Sequence, residues 1–224
     1  MHQYTTLIVS DIHLGTRVCR TDKLLTVLRQ TSYAELIING DLFDSNRITR
    51  LSAKHWEVLK ALEEIAKTKK VFLIGGNHGR KLDSEAVKIG IEVRDSYAFE
   101  IGQNRFLCVH GDEFDFFVRR LVRLSKVAGS VYSFLQSFGG RQQRMARFMK
   151  RLSKHALGVP KRQRRLALRH AAQHGASVII CSHTHVSHDD FTNDIRFINS
   201  GSFCENICHF VTIDEQGNPA LHAV

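Results

Sequence analysis

No stretch of the 224-residue chain stays apolar for the ~18 residues that a bilayer-spanning helix needs. The N-terminus has neither the apolar core nor the small-residue cleavage site of a signal peptide, since the run from Thr6 to Val9 is too short. These two absences argue for a cytoplasmic protein that is not integral to a membrane. Cysteine is scarce and odd in number: Cys19, Cys108, Cys181, Cys204 and Cys208 have no zinc-ribbon spacing. Cys108 and Cys181 sit inside strand-like runs as small hydrophobes. Cys204 and Cys208 are close enough in sequence to pair or bind a metal, and a reducing compartment weighs against it. Tryptophan occurs once, at Trp56, on what reads as a core face of a helix.

The most informative absence is of acid. Between Phe116 and His188 there is no Asp or Glu, while Arg119, Arg120, Arg123, Lys126, Arg141, Arg144, Arg147, Lys150, Arg151, Lys154, Lys161, Arg162, Arg164, Arg165 and Arg169 supply 15 of the 32 basic residues. The rest of the chain, with 17 basic and all 22 acidic residues, carries a net −5, so one segment holds the whole basic character of a protein whose net charge is +10.

What is present is a repeated local design. Leu36-Ile37-Ile38-Asn39-Gly40-Asp41 is a short apolar run that ends in Gly and a carboxylate, the pattern of a buried parallel strand whose next side chain projects from the C-terminal edge of the sheet. Ligand sites of open α/β sheets gather at that edge. A single Gly-Asp pair would read as a surface strand end, but the same move recurs at Ser10-Asp11-Ile12-His13, Gly76-Asn77-His78, His110-Gly111-Asp112 and Ser182-His183-Thr184-His185. Each delivers side chains able to bind a metal or carry a proton.

In order, the strand from Thr6 to Val9, a helix from about Asp22 to Gln30 and the Leu36 strand make a βαβ unit. A longer helix from Arg50 to Lys69, with Trp56, Leu59, Leu62, Ile65 and Ala66 at core spacing, leads to the strand from Val71 to Ile74. Ile91 to Val93, Tyr97 to Ile101 and Arg105 to Val109 suggest a second, partly antiparallel sheet. Strands at Val178 to Cys181, Ile195 to Ile198, Ile207 to Ile213 and Ala220 to His222 close the domain. The expected fold class is α/β: two sheets with outer helices, formed by residues 1–115 and 175–224. Residues 116–174 read as a basic helical cap of three helices, the last from Lys161 to His174, bounded by Gly139-Gly140 and by Gly158 with Pro160.

Asp, Asn and His donors without thiolate suit hard to borderline divalent ions. Ions ~3.5–4 Å apart serve in-line phosphoryl displacement, which calls for a bridging carboxylate; Asp41, central in the motif order, is the candidate. The five blocks, in order and across most of the chain, resemble the signature of the calcineurin-like metallophosphoesterases, and that resemblance implies an α/β/β/α sandwich. It further implies one ion held by Asp11, His13, Asp41 and His185 and another by Asp41, Asn77, His110 and His183. Two divalent ions are implied, manganese foremost, with iron, zinc or magnesium as alternatives. Asp41 and His78 would be the catalytic residues, His78 facing the phosphate off the metal. The acid that usually follows Asn-His is replaced by Gly79 and then Arg80, which leaves Asp44 or Asp112 to orient His78, and Ser182 stands where Gly is common.

Within that family the insert between His110 and His183, the Asp11-Ile12-His13-Leu14-Gly15 opening and the Asn199-Ser200-Gly201-Ser202 turn are most similar to the UDP-2,3-diacylglucosamine diphosphatase branch, which yields a lipid phosphate and UMP. Arg commonly replaces the histidine of the Asn-His block there, and this chain keeps His78. Arg80, Arg119, Arg120 and Arg123 are the expected substrate-binding residues. A solvated helix face normally mixes charges of both signs, so the basic cap points to a partner. An anionic membrane surface and a nucleotide-lipid substrate fit its interleaved apolar and basic positions. A nuclease reading, with steep salt dependence, is weakened by the expected burial of Trp56, the sole tryptophan, since single-strand binding favours exposed stacking aromatics. Binding without catalysis, the metals being structural, is the third reading.

Overall fold

The computed structural model describes residues 4–115 and 158–224. Among these, the N-terminal half runs β1 (Tyr4–Val9), α1 (Thr21–Gln30), β2 (Tyr33–Asn39), α2 (Ala53–Ala66), β3 (Lys70–Ile74), α3 (Asp83–Lys88), β4 (Glu92–Arg94), β5 (Tyr97–Ile101) and β6 (Asn104–Cys108). The remainder runs α4 (Val159–Gln173), β7 (Val178–Cys181), β8 (His188–Thr192), β9 (Ile195–Asn199), β10 (His209–Ile213) and β11 (Pro219–Ala223). One sheet has the order β11-β10-β1-β2-β3-β4 and the other β5-β6-β7-β9-β8. β1 to β4 are parallel, as are β6, β7 and β9.

The apolar runs are continuous because both faces of the central strands are covered. Leu7, Val9, Leu36 and Ile38 pack with Leu24, Leu28, Val58 and Leu62 of α1 and α2. The residues between them, Ile8 and Ile37, turn the other way and with Phe72 and Ile74 meet Phe106, Cys108, Val178, Ile180 and Ile198 of the second sheet. The outer face of that sheet, with Leu107, Val109, Ile179 and Phe197, is covered by Ala167 and Ala171 of α4. The layers are thus helix, sheet, sheet, helix, the expected class.

Asn39, fully buried at the end of β2, ties the layers together where the site lies. Its side-chain amide donates to the carbonyls of Val109 (3.1 Å) and Ile180 (3.2 Å), the ends of β6 and β7. Five groups of loops therefore leave one edge of the molecule within reach of each other.

Several expectations are corrected. Ile91 to Val93 does not start the second sheet: β4 pairs parallel with β3, Phe72 opposite Glu92, and the unforeseen α3 is the crossover. The polar β8 was not foreseen either; it is an edge strand paired to β9, where charged residues are tolerated. Ile207 lies outside β10 and is exposed. Trp56 is 49% exposed, because the inward stripe of α2 is His55, Val58 and Leu62. His55 reaches that stripe as half of a capping box, its Nδ1 accepting the main-chain N–H of Ser52 at 3.0 Å. The argument against nucleic acid drawn from a buried Trp56 falls with it. α4 matches the expected third helix in extent, with Gly158 in the left-handed region before it and Pro160 in its first turn, but it covers the outer face of the second sheet as a layer of the core and is no part of a separate cap; the first two expected helices, with Arg119, Arg120 and Arg123, lie outside the described residues. Leu62→Ala should cost about 2–5 kcal/mol in urea unfolding and Trp56→Ala less than about 1 kcal/mol; the reverse order would return Trp56 to the core.

Candidate metal centre

The loops after β1, β2 and β7 place their chemistry on backbone that ordinary residues avoid. Asp11, His13, Asp41, His183 and His185 all have positive φ, between 46° and 67°. The other two such non-glycine residues described, Asn193 and Asp194, form the two-residue turn of the β8–β9 hairpin, where this conformation is standard. Left-handed backbone outside glycine costs on the order of 1–3 kcal/mol per residue, and its clustering points to function. Two glycines admit the crowding: a Cβ on Gly40 would lie 1.9 Å from Nδ1 of His110, and one on Gly76 would lie 2.1 Å from Oδ1 of Asp41.

Asp41 sits between two imidazoles. Its Oδ1 accepts the main-chain N–H of His78 at 2.8 Å, which fixes the carboxylate. Its Oδ2 lies 3.6 Å from Nε2 of His13 and 3.5 Å from Nε2 of His110. On the His13 side, Oδ1 of Asp11 lies 3.8 Å from that Nε2 and 3.2 Å from Nε2 of His185, while its Oδ2 accepts the main-chain N–H of His183 at 3.0 Å. On the His110 side, Oδ1 of Asn77 is 3.3 Å from Nε2 of His110, and the rings of His110 and His183 are 5.2 Å apart between centroids.

The proton on His110 can be placed. Its Nδ1 lies 3.2 Å from the carbonyl of Asn39, which only accepts, so Nδ1 keeps its proton and Nε2, facing the site, is the nitrogen that gives up its proton to a cation. The Ser182 hydroxyl supports this, donating to the same carbonyl at 2.6 Å and lying 2.9 Å from Nδ1. Asn39 and Ser182 are functional supports that pattern reading missed. Asn39 stands at the end of an apolar run and Ser182 where Gly is common, and neither position marks such a role in the sequence.

The charges are tightly balanced. Burial would lower His13, but the carboxylates of Asp11, Asp44 and Asp41 gathered around it push it up to about 9. Burial would lower His110 too, and Asp41, Asp11 and Asp112 push it to about 10. Burial would raise Asp11 and Asp41, yet the neighbouring histidines, His185 first for Asp11 and His110 first for Asp41, hold both below the usual carboxylate range.

These residues fit divalent cations. Oδ1 of Asp11 and both ring nitrogens of His13 are buried without a hydrogen-bond partner. Asp11, His13 and His185 converge within 4.8 Å, and so do Asp11, Asp41 and His110. Oxygen and imidazole donors suit manganese, iron or zinc. The thiols take no part: all five cysteines are free, and burial pushes Cys19 up to about 12.

Residues 4–187 match the model of the calcineurin-like phosphoesterase family. The chain belongs to that family. The calcineurin-like fold is similar to an archaeal phosphodiesterase, with 15% identity over 98% of this chain and 99% of that one and a TM-score of 0.53. It is also similar to Vps29 of Chaetomium thermophilum (14% identity, 100% and 97% covered, TM-score 0.54) and to vacuolar protein sorting 29 of Cryptosporidium parvum (12% identity, 98% and 96% covered, TM-score 0.50). At such identities the likeness is one of fold. A comparison with curated protein sequences finds no match.

Of the other expected site residues of this phosphoesterase, His78 is oriented by Asp44 through its main chain: Nδ1 lies 3.1 Å from the Asp44 carbonyl, while the Asp44 carboxylate stands 3.6 Å from Nδ1 of His13. Arg80 reaches over Gly75 to pair with Asp95 at 3.0 Å. At pH 7–8 His13 and His110 hold protons that a cation must displace, so metal uptake should release about two protons, falling towards none above pH 10; calorimetry in buffers of different ionisation enthalpy measures this. In metal-free protein the two raised values stabilise the fold fully below about pH 6.5 and lose that contribution as pH rises through about 9 and 10.

Proposed function

We propose that this phosphoesterase hydrolyses a phosphoester or diphosphate bond with two divalent cations, manganese foremost, and that its substrate is a nucleotide-linked lipid of the UDP-2,3-diacylglucosamine type, met at an anionic membrane surface. The observation that carries the hydrolase reading is the Asp41 carboxylate, pinned by the His78 N–H and set between Nε2 of His13 and Nε2 of His110. Asp11, His13 and His185 would hold one cation with Asp41, and Asn77, His110 and His183 would hold the other with it. When bound, such cations acidify water and neutralise charge on phosphoryl oxygens.

The chain's own residues do the rest. His78 keeps Nδ1 on the Asp44 carbonyl, which leaves Nε2 to exchange a proton with the leaving oxygen. Its ring stands edge-on to His13 with centroids 5.0 Å apart, close to the metal ligands. For the lipid, support comes from the acid-free segment. In the part of it that is described, α4 exposes Lys161, Arg165 and Arg169, while Arg164 is paired to Asp190. No described helix is long and apolar enough to cross a membrane, so contact with lipid would be peripheral. A nucleic-acid phosphodiesterase is the second reading, favoured by the exposed Trp56.

Manganese-supplemented turnover of UDP-2,3-diacylglucosamine, single-stranded DNA and a generic phosphodiester tests the proposal. UMP and lipid phosphate are the expected products; cleavage of DNA with the nucleotide-lipid untouched selects the second reading, and no turnover with two ions bound refutes both. Asp41→Ala should abolish activity and lower metal content. His78→Ala should keep both ions and lose roughly 10²–10⁴ in kcat; loss of metal instead would make His78 a ligand. Neutralising Arg119, Arg120 and Arg123 together should raise KM for the lipid substrate more than for the generic phosphodiester.

A further inference from the structure

His183 and His110 are expected at the same cation, yet their second nitrogens meet different partners. His110 points Nδ1 at a carbonyl. His183 has Nε2 at 3.3 Å from Oδ2 of Asp115, a residue outside every block of the family signature and 5% exposed. Asp115 is placed for this by a single helical turn, Asp112 to Phe114, that starts at Gly111 in the left-handed region; its main-chain N–H donates to the carbonyl of Asp112 at 3.0 Å.

The backbone around His183 is held separately. The carbonyl of Ser182 accepts from the side-chain amides of Gln163 and Asn199, both at 2.9 Å, and Asn199 also donates to the Thr184 hydroxyl at 3.1 Å. The His183 N–H is on Asp11. These bonds fix where the ring starts but not how it is turned about its own bonds, nor which nitrogen carries the proton. A buried carboxylate facing one ring nitrogen settles both: it accepts from Nε2–H, and the deprotonated nitrogen is then Nδ1.

We infer that Asp115 is a positioning residue for the second cation, acting through His183, whose ring it orients and whose Nε2–H tautomer it selects so that Nδ1 is the donor. The two imidazoles at that cation then use opposite nitrogens, Nε2 of His110 and Nδ1 of His183. This assignment rests on the two-cation reading above and adds to it a determinant of affinity for one ion of the pair. The charge of Asp115 also makes the imidazole a stronger donor.

The test is a manganese titration of the full chain and of its Asp115→Ala and Asp115→Asn variants, followed by calorimetry and by the spin-coupled electron paramagnetic resonance signal of the ion pair. Asp115→Ala should bind one ion as the unmodified chain does and the other roughly 10- to 100-fold more weakly, with the coupled signal lost at matched metal. Asp115→Asn keeps an oxygen acceptor for Nε2–H and should weaken the second ion less than about tenfold. In zinc-loaded protein with ¹⁵N-labelled histidine, His183 should show the proton on Nε2, and Asp115→Ala should lose that signature. Two ions bound at unchanged affinity by Asp115→Ala would overturn the assignment; should that variant not fold, unchanged affinity and unchanged His183 spectra in Asp115→Asn would do so. A merely structural ion pair would lower the melting temperature of the metal-free variants and leave both affinities alone, which also overturns it. Fewer than two ions on the unmodified chain would remove the two-cation reading itself, a result visible before any variant is made.

Discussion

Two carboxylates, Asp11 and Asp41, are buried together at 0% and 2% exposure, and the whole edge of the molecule answers to that fact. Burial opposes their ionisation, and each anion raises the energy of the other. They stay anionic because His13, His110 and His185 converge on the same oxygens, and in the absence of cations His13 and His110 hold protons to supply the missing positive charge. Such a cluster is an expensive way to stabilise a fold, since buried ion pairs often do no better than apolar groups of the same shape. Its economy changes when divalent cations take the place of the protons, because every donor is then used.

The fold meets this demand through the ends of parallel strands. Five strands of two sheets stop at one edge, and Asn39 spans the gap between the sheets there, its amide on the ends of β6 and β7 and its carbonyl on the ring of His110. The apolar runs behind it are locked on both faces, so the loops can hold left-handed backbone at Asp11, His13, Asp41, His183 and His185 without the strands shifting. Glycine at 40 and 76 is the counterpart of that crowding, for a Cβ at 40 would occupy the space of His110 and one at 76 that of Asp41.

The parts legible in the sequence are those in which one residue type did one job. An apolar run that ends in Gly-Asp, Asn-His or His-x-His announces both a strand and its cargo, and the residues so marked do converge, with His78 set beside them. Other parts were hidden because local pattern and role diverge. On α2 the apolar Trp56 is outside and the polar His55 is inside, as half of a cap, so a count of apolar residues places the stripe one position off. A three-residue β4 carries no signal of which sheet it joins, and a polar β8 reads as loop although an edge strand needs no apolar face. Asn39, Ser182 and Asp115 act through main-chain carbonyls or through a ring 68 residues away, and no spacing rule reveals such partners.

The position of the basic segment follows from the topology. β6 and β7 are adjacent and parallel, so the chain must cross from the end of one to the start of the other, and α4 makes the return over the outer face of the sheet. That crossover leaves from the end of β6, which is the edge where His110 stands. Extra length in such a connection adds little closure entropy, since each doubling costs only about 0.6 kcal/mol, and it disturbs neither sheet. The crossover is also tied back at both of its described ends, by Asp115 to the ring of His183 and by Gln163 to the carbonyl of Ser182. Such a connection can therefore vary in length and charge while the loops that bracket it keep their places, so the excess positive charge of the chain can be confined to a single segment without disturbing the site.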